Sequence, residues 1–134
     1  RGYALGSTEL IKALNDVKFS FNSYTMNMTS IKYGVASIND KAYFDECVGK
    51  IIETREKAKG SLTKLGFTFT DSKANFIFAT HKSVPAKEIF EKLKAKKIYV
   101  RYFNQPGIDN YLRISVGTDE QMDKLIQALS DIVA

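Results

Sequence analysis

Apolar residues recur along this chain with two different periods, and the change near residue 66 separates two kinds of element. The opening run Gly2-Tyr3-Ala4-Leu5-Gly6 is short, apolar and bounded by glycines, the form of a buried strand. Ser7 then stands where it can cap a helix carrying Leu10, Ile11, Leu14 and Val17 at three- and four-residue steps. Residues 19–27 are rich in Ser, Asn and Thr and read as a connector. Ile31, Val35 and Ile38 predict a short helix ending near Asn39. From Asp40 to Leu65, Phe44, Val48, Ile51, Ile52, Leu62 and Leu65 keep helical spacing, and Gly66 supplies the stop. A helix of that length spans nearly ~40 Å at ~1.5 Å per residue, the length of a brace between two bodies. A break near Gly49 or Gly60 is the alternative.

Beyond Gly66 the period is two. Phe67 and Phe69 alternate with Thr68 and Thr70, Asp71-Ser72 makes a turn, and residues 75–79 form a second strand. Ser83 is placed to cap a helix with Pro85 in its first turn and Ile89, Phe90 and Leu93 facing inward. Strands are predicted at 98–103 and 111–116, joined by Asn104-Gln105-Pro106-Gly107-Ile108-Asp109. Thr118 and Gln121 form a capping box for a last helix bearing Met122, Leu125, Ile126, Leu129, Ile132 and Val133. The fold class implied is α/β in the broad sense, more narrowly an α+β domain: a small antiparallel or mixed sheet with helices packed on one side. The first strand and helix have no sheet of their own to join. Residues 1–25 are therefore expected to end a larger domain whose remainder is missing, and residues 26–134 to form a small C-terminal domain.

The length of 134 residues allows one sizeable core and excludes two full domains. No apolar run is long enough to cross a bilayer and no signal-peptide pattern opens the chain, so a soluble cytoplasmic protein is the default expectation. Cys47 is the sole cysteine and His81 the sole histidine, which argues against a disulfide or a His/Cys metal site. The net charge of +5 raises the question of nucleic acid, because Lys82, Lys87, Lys92, Lys94, Lys96, Lys97 and Arg101 crowd together. Glu88 and Glu91 interrupt them on what reads as the wet face of a helix, and no aromatic RNA-binding signature accompanies them. A solvated helix face is the reading adopted, with no nucleic-acid or membrane partner. Lysines throughout, Lys12 and Lys18 included, read as surface residues.

The strongest chemical signal lies in the last two predicted strands. Ile98, Val100 and Tyr102 share one face of the first, and Leu112, Ile114 and Val116 share one face of the second. If both aliphatic sets enter the core, Arg101 and Arg113 emerge together on the opposite face. A turn centred near Gly107 places them directly across from one another, with Cβ atoms about 5 Å apart. Like charges at that spacing destabilise a sheet unless an anion sits between or above them. Arginine is the side chain suited to gripping carboxylate and phosphate. Two exposed arginines paired with Asp or Glu are the plain alternative, but neither strand contains an acidic residue.

Together Gly2-Tyr3-Ala4-Leu5-Gly6, Tyr24 with Asn27, Lys73-Ala74-Asn75-Phe76, Tyr99-Val100-Arg101 and residues 110–118 (Asn-Tyr-Leu-Arg-Ile-Ser-Val-Gly-Thr) occur in that order. In this the whole chain resembles the C-terminal part of fold-type I, pyridoxal-phosphate-dependent aminotransferases, the histidinol-phosphate branch above all. The Leu-Arg-Ile-Ser-Val-Gly-Thr segment is the most specific part of the resemblance. It implies a parent enzyme that is a cytoplasmic homodimer of histidine biosynthesis with pyridoxal 5'-phosphate as cofactor, moving an amino group between histidinol phosphate and 2-oxoglutarate. It implies that Arg113 binds a substrate carboxylate and Arg101 the phosphate of the phosphorylated substrate. The family pattern Arg-x-Gly-Tyr makes Arg1 the candidate contact for the cofactor phosphate. Here, though, Arg1 directly precedes Gly2, so either Arg1 fills the x position or a residue is absent. The family's imine-forming lysine, its pyridinium-pairing aspartate and its ring-stacking aromatic do not map onto this sequence. No catalytic residue is therefore assigned here, and the segment alone is expected not to transaminate. Threonine-phosphate decarboxylases and aromatic aminotransferases share the architecture and are the near alternatives. A stand-alone α+β ligand-binding module is the alternative of another class.

Overall fold

A computed structural model describes residues 3–21 and 26–133. The chain separates into two compact units, Arg1–Lys41 and Ala42–Ala134. Arg1, Gly2 and Tyr24, to which the sequence reading gave roles, lie outside the described residues.

In the first unit the described part of the opening run, residues 3–6, is not a strand. Residues 3–7 are irregular, with Tyr3 and Leu5 exposed. A strand forms only where a neighbour takes up its N–H and C=O groups, and among the described residues none pairs with this run. Helix α1 (Thr8–Phe21) begins as expected, with the Leu10 N–H donating to Ser7 Oγ at 3.4 Å. Its apolar positions Leu10, Leu14 and Val17 are exposed. Helix α2 (Met28–Asn39) is capped by Asn27, whose Oδ1 accepts from the Ser30 N–H at 2.7 Å.

Helix α3 (Lys41–Lys64) runs unbroken through Gly49 and Gly60. Its 24 residues make it about 36 Å long. Burial on it is confined to the second half, at Thr54, Arg55, Ala58, Lys59 and Leu62. Gly66, at φ +86°, turns the chain out of the helix in the left-handed region open to glycine. Lys82 would also lie within 2.9 Å of any Cβ at that position.

Four strands follow: β1 (Phe67–Phe69), β2 (Phe76–His81), β3 (Arg101–Tyr102) and β4 (Leu112–Ser115). They form one antiparallel sheet in the order β1-β2-β4-β3, so β2 and β4 are central and β3 is an edge. The expected strand at 98–103 pairs only over Arg101 and Tyr102. The reason is the end of helix α4 (Ala86–Ala95). There the Ile98 N–H donates to Leu93 O at 2.9 Å and the Lys97 N–H to Lys94 O at 2.9 Å. These two bonds make a Schellman closure, with Lys97 at φ 60° in the place glycine usually takes. That closure ties Ile98 to the helix end and postpones strand pairing to Arg101.

The start of α4 also differs from expectation. Pro85, not Ser83, is the N-cap residue, and it makes no side-chain cap. Asn110 does so instead, its Oδ1 accepting from the Ala86 N–H at 3.0 Å from 24 positions along the chain. Helix α5 (Asp119–Val133) opens with the predicted box: the Thr118 N–H donates to Gln121 Oε1 at 3.0 Å and the Gln121 N–H to Thr118 Oγ1 at 3.3 Å.

The core lies between one face of the sheet and helices α3, α4 and α5. Phe67, Ile77, Ala79, Leu112 and Ile114 meet Leu62, Ile89, Leu93, Met122, Leu125 and Leu129 there. His81 is buried in this unit. Its Nδ1 accepts from the Val84 N–H at 3.0 Å, which leaves Nε2 to carry the proton and donate to Leu65 O at 2.9 Å. On α4 the lysines are solvated, and Lys92 and Lys96 pair with Glu88 and Asp131. Among the described residues no helix is long and apolar enough to cross a membrane, and no cluster of three or more His, Cys, Asp or Glu side chains could hold a metal ion.

Candidate functional site

The positions that alternate with the core build the other face of the sheet. On β2 they are Phe76, Phe78 and Thr80, on β4 Arg113 and Ser115, and on β3 Arg101. The register pairs Phe78 with Arg113 and Arg113 with Arg101, so three side chains form one row across three strands. Directly paired residues in an antiparallel sheet project to the same side. The two arginines therefore stand together on the exposed face, centred on a connection whose Gly107 adopts φ +88°.

Aromatic rings stand in for the counter-charge that the alternative reading supplied with Asp or Glu. The Arg113 guanidinium carbon lies 5.7 Å from the centre of the Phe76 ring and 6.0 Å from that of Phe103. The Arg101 carbon lies 5.5 Å from Phe103. Phe103 meets Phe78 edge-on at 6.1 Å, and Phe78 stacks on Tyr111 at 4.8 Å with the planes 8° apart. A ring face carries partial negative charge, enough to hold a cation without neutralising it. Among the described residues the ion pairs of this unit involve other cations. Hollows of about 540 and 680 Å³ occur in the same unit, but neither arginine lines them. The candidate site is an open cationic face with an aromatic floor.

The sequence reading missed that floor, although Phe76, Phe78 and Phe103 were visible as alternating ring positions. It also missed a second pair of cations. Lys59, expected at the surface with the other lysines, is 7% exposed, and Arg55 is 4% exposed. They lie one turn apart on the α3 stripe that leads to Leu62, which is the signal that could have found them. Lys59 Nζ donates to Asp71 Oδ1 at 2.7 Å, to Glu56 Oε1 at 3.0 Å and to Ser72 O at 3.0 Å. Arg55 donates to Glu56 at 3.0 Å and to Ala74 O at 3.1 Å. Hydrogen bonds from Lys59, then from Lys73, hold the Asp71 carboxyl down at about 2. The same bond to Asp71 is the main influence raising the Lys59 ammonium above its ordinary value. These groups latch the turn between β1 and β2 onto α3. They satisfy one another and present no grip to a ligand.

Comparison with known proteins puts this chain in a family. Histidinol-phosphate aminotransferase of Brachyspira hyodysenteriae is 48% identical over 98% of the chain, and that of Acinetobacter baumannii is 51% identical over 96%. The chain spans 37% and 36% of the length of those relatives. Among solved structures, histidinol-phosphate aminotransferase from Sinorhizobium meliloti, in complex with pyridoxal-5'-phosphate, superposes with a TM-score of 0.84 at 22% identity. It covers 96% of this chain, which covers 35% of it, and so supports the fold. The model of aminotransferase class I and II matches residues 1–129, taking in every element from α1 to most of α5. The chain belongs to the class I and II aminotransferase family.

Proposed function

We propose that this chain is part of a pyridoxal-phosphate-dependent aminotransferase that moves an amino group between histidinol phosphate and 2-oxoglutarate, and that it grips the anionic groups of the substrates. One observation carries the reading: Arg101 and Arg113 are directly paired on an exposed sheet face, with rings in place of carboxylates. The two relatives at 48% and 51% identity, both histidinol-phosphate aminotransferases, supply the substrate class. Arg113 holds the carboxylate of glutamate through a two-pronged contact, and Arg101 holds the phosphate of the phosphorylated partner. Each grip restricts the rotation of its own substrate and presents the amino-bearing carbon in one orientation.

The described residues fit the substrate's anions better than they fit the cofactor. Every described lysine except Lys59 is exposed, and Lys59 is engaged by Asp71, Glu56 and Ser72. The family's imine-forming lysine maps onto none of them. Arg1, outside the described residues, is the candidate that the family pattern offers for the cofactor phosphate. When bound, pyridoxal phosphate supplies the electron sink for the reaction. The working protein is a cytoplasmic homodimer in which residues 1–25 end the large domain and 26–134 form the small one. The exposed apolar residues of α1 are suited to cover by the rest of that assembly.

The test is steady-state kinetics of the full-length protein carrying Arg101→Leu or Arg113→Leu. Arg113→Leu is expected to raise the KM for L-glutamate, and Arg101→Leu to raise that for histidinol phosphate selectively. Unchanged KM values for both substrates in both variants would refute the reading. An Arg101→Leu effect equal on phosphorylated and unphosphorylated substrates would favour an aromatic aminotransferase.

A further inference from the structure

We infer that Phe103 is a positioning residue of the anion site: its single ring serves both guanidiniums and sets them as a pair. The inference rests on the reading of Arg101 and Arg113 as anion ligands. Two cations on paired positions of a sheet repel, and each long side chain has many rotamers in which to move away. Some attraction must keep them over the same patch if an anion is to find both. Among the described residues, Phe103 has a ring within reach of both, at 5.5 Å from Arg101 and 6.0 Å from Arg113.

The ring is itself held. Phe78 meets it edge-on at 6.1 Å, and Tyr111 stacks on Phe78 at 4.8 Å, so position passes from the β4 entrance through β2 to Phe103. Arg113 gains a second ring in Phe76 at 5.7 Å, whereas the ring contact of Arg101 is to Phe103. Arg101 should therefore depend on Phe103 more than Arg113 does. A carboxylate at this place would bind the arginines more strongly and compete with the ligand. A ring orients them and leaves their charge available.

The experiment uses the full-length holoenzyme and inorganic phosphate as probe, with equilibrium binding read by calorimetry beside the KM for L-glutamate. Phe103→Leu is expected to weaken phosphate binding about three- to tenfold and to raise KM more than it lowers kcat. Phe103→Tyr, which keeps the ring, should stay within about twofold of the wild type. In a double-mutant cycle the phosphate affinities of Arg101→Leu and Arg113→Leu should be coupled with Phe103 present and closer to additive with Leu there. If the Leu variant fails to fold, Phe103→Met gives the same ringless contrast. Equal phosphate affinity for the Leu, Met and Tyr variants overturns the inference while leaving the arginine reading intact. Wild-type phosphate affinity in Arg101→Leu overturns the arginine reading itself.

Discussion

Two pairs of cations sit in the unit formed by residues 42–134, and their surroundings are opposite. Arg55 and Lys59 are buried on α3 and engaged by Glu56, Asp71 and the carbonyls of Ser72 and Ala74. Arg101 and Arg113 are exposed on the sheet and touch Phe76 and Phe103. The first pair is neutralised by its own protein, and its charge serves to fix a turn. The second is oriented but not neutralised, and its charge remains available to something that binds. What a cation touches tells its role better than how deeply it lies.

The sharpest way to break the comparison is to remove one cation from each pair. Arg113→Leu in the full-length protein is expected to lower kcat/KM with L-glutamate by about 10³-fold, the loss typical of a charged partner in a recognition contact. Its thermal midpoint should stay close to that of the wild type. Lys59→Met should do the reverse, lowering the midpoint and leaving KM near the wild-type value. An activity loss in Lys59→Met as large as that in Arg113→Leu would erase the distinction between the pairs.

The other side of the sheet offers the next largest effect. Leu62 is fully buried one turn beyond Lys59, and Leu62→Ala is expected to cost about 3 kcal/mol through lost burial and the cavity left behind. Urea unfolding of the full-length protein measures it. Phosphate affinity, read on the opposite face of the sheet, should not move under native conditions.

The arginine pair was legible in the sequence because a strand has a period of two. Once Leu112 and Ile114 go inward, Arg113 has one direction left, and the spacing about Gly107 fixes its partner. Helix α3 and the capping box of α5 were legible for a similar reason, since both depend on residues within a few positions. The failures share a different cause. Asn110 caps α4 from across the unit, and nothing near Ser83 announces that its place is taken. Lys59 is buried because Asp71 lies beside it after the chain reverses at Gly66, a pairing that no helical spacing encodes. The opening run has the apolar character of a strand, but a strand depends on neighbours its own residues do not specify. Local periods reveal faces; long-range partners decide what those faces do.

A smaller effect tests whether the site's strand depends on the helix that follows it. Thr118 comes three residues after the last residue of β4 and caps α5. Thr118→Ala is expected to cost about 1 kcal/mol of stability, as loss of an N-cap usually does. Urea unfolding reads that cost, and calorimetry with phosphate should show no change in affinity. A loss of affinity beyond about threefold, roughly 0.7 kcal/mol, would mean that α5 and the arginine face are not separable.

The smallest effect concerns acid, and it distinguishes the two pairs by pH alone. The Asp71 carboxyl is held at about 2 in the folded protein, down from 3.8, by hydrogen bonds from Lys59 and then Lys73. A depressed acid stabilises the fold above its unfolded value, and that contribution fades as pH falls from about 4 to about 2. Because the Asp71 side chain is 68% exposed, solvent screens the pair and the effect is modest. Asp71→Asn should therefore be less stable than the wild type at neutral pH and converge with it in acid, as urea midpoints across that range will show. Arg113→Leu should keep the wild-type acid slope, because among the described residues its ring contacts bring no titrating carboxylate to the arginine face. A wild-type slope in Asp71→Asn would mean that the buried pair is not held by its carboxylate, and the contrast with the sheet face would lose its electrostatic basis.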